Sequence, residues 1–318
     1  MEVKFMKFRV IFLNRKHIYF FILLFLIIIL SIIFIVSRNS SPAFSTISSS
    51  RKIRADLNGD DKNDILFIMR DKDNYLIKAD IGGRTLNFST NKNSPVIQKY
   101  SPYWPLRITL IDISRNKVPE IFIQGSIKGR PVQRVFMYNG TEFKNIMSNS
   151  NNILGFMDCK NNRTPKIISG KLSKNSIYLS NYIFLNNEFK NYSREYEGTL
   201  VGQDTIYTFA KFIQSLPESE PYKPKDIFSS NISKEDMALI GNLTGENSSY
   251  VFQDALFMEN KCDKEGKASE ISWSLNFKGI SRADKNIIKN YKIDLILVPD
   301  NSSTNKYHFK IVSMHKNR

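Results

Sequence analysis

The chain has 318 residues, a formal net charge of +16 at pH 7, three histidines and two cysteines. So few histidines and cysteines exclude a zinc centre of ordinary ligand spacing and a disulfide framework. The excess of Lys and Arg favours acidic partners, and the absence of a recognisable nucleic-acid-binding motif argues against nucleic acid.

In chain order, residues 1–16 carry Lys4, Lys7, Arg9, Arg15 and Lys16 against Glu2. Residues 18–36 are uncharged and almost wholly Ile, Leu, Phe and Val. About 20 such residues span a bilayer as a helix. The sequence therefore predicts a transmembrane helix over 17–37, with the basic tail 1–16 cytoplasmic by the positive-inside rule. The bulk of the chain is expected outside the cytoplasm, beyond a Ser-rich linker over 38–50. A cleaved signal peptide fits less well, because the apolar run is long and Arg38 interrupts the small-residue pattern behind it.

Three segments then repeat one pattern, starting at Asp56, Asp112 and Asp158. Each sets polar side chains at i, i+2, i+4 and i+8 and then turns apolar. A hard cation such as calcium takes six to eight oxygens, and alternate polar positions in a tight loop wrap one ion. In the first copy Asp56, Asn58, Asp60 and Asp64 are the side-chain ligands and Lys62 offers its backbone carbonyl, while Gly59 eases the turn. The second copy keeps two carboxylates, Asp112 and Glu120. The third keeps Asp158 and places Lys166 at i+8, where a cation repels metal, so it reads as a polar turn between strands.

The loop with its trailing strand resembles the FG-GAP or VCBS calcium-binding repeat of integrin-like β-propellers. The resemblance covers roughly residues 51–195, under half of the chain. Position i+5 of the first loop is Asp61, where many such loops carry Gly. The resemblance implies four-stranded antiparallel blades with the loop between the first two strands, and a weak structural calcium site of Kd about 10⁻⁴ to 10⁻³ M. Three copies are too few for a closed propeller, which leaves a hidden fourth blade near residues 188–203 or an open arc covered by the C-terminal domain.

Behind Gly202 the pattern changes. Ile206, Phe209, Ala210, Ile213 and Leu216 recur at helical spacing until Pro217, and Ser233 to Asp236 has the form of a capping box. Four strand-like stretches follow, Tyr250–Asn260, Glu270–Phe277, Tyr291–Val298 and Tyr307–Met314. The expected fold class is thus an N-terminal transmembrane helix, an all-β propeller-like repeat domain over 51–200, and an α+β domain over 201–318 with a four-stranded antiparallel sheet. Cys159 and Cys262 fall in the two different domains. An exported chain permits a bond between them, yet the reading leaves them unpaired.

No catalytic constellation emerges. His308 and His315 lack zinc or triad partners in sequence. Glu195, Glu197, Asp254 and Glu259 read as solvated carboxylates, and Trp104 and Trp273 as packing residues before sugar platforms. The expected function is a non-catalytic, membrane-anchored, extracytoplasmic protein that binds an anionic envelope polymer, a glycan or a protein partner. The alternatives are an envelope-directed hydrolase with its site in the C-terminal domain, and a partner subunit of a membrane sensor.

Overall fold

The computed structural model describes residues 16, 19, 23–27, 45–47, 51–88, 96–159, 165–192, 200–300 and 307–317. Phe44–Arg318 form one compact unit and Met1–Ala43 another. Most of the expected transmembrane span lies outside the described residues. Within it, helix is described at residues 19 and 23–27. No helix among the described residues is long and apolar enough to cross a membrane. The spanning helix is corrected on that finding, and so are the cytoplasmic tail and the extracytoplasmic placement that rested on it.

Alternation drives the first sheet. In β3 (Asp64–Asp71), as far as Ile68, and throughout β4 (Asn74–Ile81) every second residue is buried, as the period of two in a strand requires. Leu66, Ile68, Tyr75, Ile77 and Ala79 face one core. These strands lie between β2 (Arg51–Ala55) and β5 (Arg84–Asn87), and β6 (Val96–Lys99) also pairs with β4. The second sheet runs β1 (Ser45–Ile47), β7 (Leu106–Ile111), β8 (Glu120–Ile127), β9 (Arg130–Tyr138) and β10 (Phe143–Asn149). Its last hairpin turns at Asn139-Gly140. The Asn139 Oδ1 accepts the backbone N–H groups of Thr141 and Glu142, and Gly140 takes a φ of 96° that a side chain resists.

The third sheet overturns the propeller. β11 (Ile153–Met157), β12 (Lys166–Leu172), β13 (Ile177–Leu185) and β14 (Glu188–Asn191) make an antiparallel meander. They are not a separate blade. β11 pairs in parallel with β15 (Ser248–Cys262), Ile153 to Phe156 against Ala255 to Met258. β15 continues antiparallel into β16 (Ala268–Ser281), β17 (Ile288–Pro299) and β18 (Phe309–Asn317). The result is one eight-stranded sheet, and the described strands form no closed or propeller arrangement. An open edge on β11 would leave backbone N–H and C=O groups unpaired; β15 satisfies them. The boundary expected near residue 200 falls inside this sheet.

Two helices cover one face of β15–β18. Gln203–Gln214 buries Ile206, Phe209 and Ile213 against Trp273, Leu275 and Phe277. Lys234–Gly245 starts at Ser233, whose Oγ accepts the Asp236 N–H at 2.9 Å, a bond worth about 1 kcal/mol at a helix N-terminus.

Candidate functional site

The first two repeat loops have one conformation. Residues i+3 and i+5 are left-handed in both, Gly59 and Asp61 at φ 81° and 60°, Arg115 and Lys117 at 56° and 72°. In the first loop the Asp56 carboxylate accepts N–H groups of Asn58, Gly59 and Asp61 at 3.2, 2.7 and 2.7 Å. In the second, Asp112 accepts those of Asn116 and Lys117 at 3.1 and 2.9 Å. The residue at i+1 is apolar and buried, Leu57 or Ile113. Its N–H is met by the carboxylate at i+8, Asp64 at 3.0 Å or Glu120 at 2.8 Å. The loops are adjacent, since a Cβ on Gly59 would stand 3.1 Å from Val118 Cγ2.

In kind, the donors fit a hard cation. Burial raises the Asp64 carboxyl above its ordinary value, and the charges on Asp60 and Asp56 push it further, a crowding that a cation relieves. Burial also acts on Asp56, but bonds from the N–H groups of Gly59, Asn58, Asp61 and Asp60 outweigh it and hold that carboxyl below its ordinary value. Asn58 Oδ1 and Asp60 Oδ1 accept the N–H groups of Asp60 and Lys62 at 3.0 and 2.9 Å. No group of three or more His, Cys, Asp or Glu gathered for a metal occurs among the described residues. The oxygens are of the kind that a hard cation takes, but they are not gathered around a metal among the described residues, and the loop is closed on its own backbone.

The third loop is built differently, and residues 160–164 lie outside the described ones. The Lys166 ammonium at i+8 cannot accept a hydrogen bond. Its role passes to Glu259 of β15, whose Oε2 accepts the N–H groups of both Asp158 and Cys159 at 2.7 Å. The Asp158 carboxylate meets Arg115 Nη2 of the second loop at 3.0 and 3.1 Å. Cys159 is bonded to Cys262 across 103 residues, with Cα atoms 5.4 Å apart. The expectation of unpaired cysteines in separate domains is corrected here, because the parallel β11–β15 pairing brings their chain segments together.

Between the second and third sheets lies a buried polar cluster with no sequence signature. Arg107 and Asp254, 1% and 2% exposed, pair at 3.2 Å. Trp104 Nε1 and Asn276 Nδ2 donate to Asp254 at 2.5 and 2.9 Å, and Arg107 Nη1 donates to the Ser274 carbonyl at 3.1 Å. Burial pushes the Asp254 carboxyl up against the pull of Arg107, Trp104 and Asn276. Asp254 is thus a sheet-joining residue and not a solvated carboxylate. Trp104 and Trp273 are both buried; His308 and His315 are exposed, and His315 approaches Asp294 at 3.9 Å. Glu195 and Glu197 lie outside the described residues.

A cavity of about 450 Å³ opens between the two helices' connection and the ends of β17 and β18. Lys223, Lys225 and Lys310 bring positive charge to it, Ser229 and Ser230 bring hydroxyls, and Phe228, Met237, Val298 and Pro299 supply apolar wall. Among the described residues that line it, Asp300 is the one carboxylate, and it pairs with Lys310 at 3.1 Å. Lys223 stands 3.9 Å from Glu220. Sequence reasoning missed this site because its lysines come from the connection between helices and from the last strand, nearly 90 residues away, with no spacing rule to join them. Comparison with protein-family models, with curated proteins and with solved structures returns no match.

Proposed function

We propose that the chain is a non-catalytic binding protein that takes an anionic ligand, a polymer or an acidic glycan, in the pocket of its helix-covered sheet. The single observation that carries this reading is the pocket lining, three lysines and two serines against one carboxylate already tied to Lys310. An anion gains charge-assisted hydrogen bonds there, and the net charge of +16 draws polyanions toward the surface. A hydrolase of glycans needs a pair of carboxylates facing its substrate; the pocket offers one, so the binding reading is preferred. In the same reading the first loop takes calcium through Asp56, Asn58, Asp60, Asp64 and the Lys62 carbonyl, where the ion would relieve the crowding of carboxylates and act as a structural clip.

The test is calorimetric titration of the full chain with short-chain polyphosphate and with a polyuronate, at several salt concentrations. Saturable binding that weakens with salt and falls roughly tenfold or more in Lys223→Glu/Lys225→Glu supports the proposal. Saturable binding that this double variant leaves unchanged, or no binding of either polyanion at low salt, removes it.

A further inference from the structure

We propose that Asp158 and Cys159, at the start of the third repeat, form with Glu259 and Cys262 a redox-operated clasp, in which a covalent bond and a borrowed carboxylate do what the carboxylate at i+8 does in the first two loops. The comparison of equivalent atoms carries this. The N–H at i+1 belongs to Leu57, Ile113 and Cys159 in the three loops. In the first two the carboxylate at i+8 meets it. In the third, Lys166 stands at i+8 and Glu259 from β15 does so instead, at 2.7 Å. The side chain at i+1, which in the first two loops is an apolar plug, is in the third the half of a disulfide to Cys262 on the same strand as Glu259. Both devices act at one end of the β11–β15 seam, the only place where the described part of the third meander pairs with the C-terminal strands, through Ile153 to Phe156 and Ala255 to Met258.

A clasp of this kind can be opened. Cys262 is exposed and Cys159 half-buried. An external dithiol attacks the Cys262 sulfur as a thiolate, forming a mixed disulfide and releasing Cys159 as a thiolate that takes up a proton. The second thiol of the reductant then displaces Cys262 and closes its own disulfide. The cysteine pair gains two electrons and two protons, and the dithiol loses them. After reduction Asp158 and Cys159 keep their bonds to Glu259 and the Arg115–Asp158 pair but lose the covalent link to β15, while the two self-closed loops are unaffected.

The experiment is amide hydrogen exchange on the full chain, oxidised and after treatment with a dithiol. The expected result is exchange faster by about tenfold or more at Asp158, Cys159 and the β11–β15 seam, with Trp273 to Phe277 in β16 and the first two loops unchanged. Equal exchange in the two states overturns the proposal. So does faster exchange throughout the molecule, which would make the bond a global staple, and so does thiol labelling that finds two free cysteines in the unreduced protein. Placing Lys166→Glu with Glu259→Gln in the reduced protein restores an in-loop carboxylate. Slower exchange at Cys159 than in reduced Glu259→Gln alone supports the equivalence of the three positions, and exchange as fast as in reduced Glu259→Gln overturns it.

Discussion

Removing one member of the buried Arg107–Asp254 pair will destabilise the fold more than removing both. Arg107 projects from β7 of the second sheet and Asp254 from β15 of the third, and each is at most 2% exposed. Asp254→Asn leaves the guanidinium without its anion, in a place water does not reach. Breaking a buried pair in this way costs about 3–5 kcal/mol, whereas replacing both partners by apolar residues of similar volume is often close to neutral. Two donors besides Arg107 converge on Asp254, Trp104 at 2.5 Å and Asn276 at 2.9 Å, so the single change should reach the upper part of that range. Urea unfolding followed by tryptophan fluorescence reads it directly, since Trp104 sits on the cluster. With a slope of about 3 kcal/mol/M, a loss of about 3–5 kcal/mol moves the midpoint down by roughly 1–1.7 M. Arg107→Met/Asp254→Leu should recover most of that shift, giving a coupling of at least about 2 kcal/mol. If the single variants lose under about 1 kcal/mol, or if their losses simply add in the double variant, the pair does not join the sheets and the argument fails.

Gly155→Ala should lower the melting temperature clearly, because its Cβ would lie 2.1 Å from the ring of Phe257, a fully buried residue stacked on Trp273; overpacking of this kind costs about 1–3 kcal/mol, and an unchanged melting temperature would refute it. Calcium at about 10 mM should stabilise the wild type by roughly 1.4 kcal/mol if the first loop binds with a Kd of about 1 mM. Calorimetric scans in calcium and in chelator would show this, and Asp60→Ala should abolish the difference; identical scans of the wild type would count against the calcium site. Burial raises the Glu246 carboxyl, yet bonds from Lys316 and Tyr291 and the charges of Lys316 and Lys289 hold it below its ordinary 4.5. A carboxyl depressed on folding contributes stability that is complete above the unfolded value and lost as pH falls through the folded one. The stability gap between wild type and Glu246→Gln should therefore close as pH drops below 4.5, and a gap that stays constant down to pH 3 would contradict this assignment.

Local order was legible wherever neighbours in sequence decide it. The polar spacing of the first two loops, the helical spacing from Ile206 to Leu216 and the Ser233 cap all act within about ten residues. In β16, Trp273, Leu275 and Phe277 face the helices, and the polar residues between them, Ser272, Ser274 and Asn276, are buried as well. The second sheet covers them, and that packing converts a polar face into the seat of the Arg107–Asp254 pair.

The apolar run at 18–36 shows a different limit. Hydropathy alone predicts a spanning helix, but no described helix has the length to cross a bilayer. The propeller expectation failed because loop chemistry determines how two consecutive strands turn, not which sheet they join. Parallel pairing of β11 with β15 depends on segments about 100 residues apart, as do the Cys159–Cys262 bond and the bonds of Glu259 to the third loop. The sequence by itself determined the strands, the turns and the self-closing loops, because hydrogen bonds between near neighbours need no partner from elsewhere. Only the tertiary structure decided the merging of the third meander with the C-terminal strands, the buried ion pair and the lysine-lined pocket, because each is completed by groups that chain folding alone brings within reach.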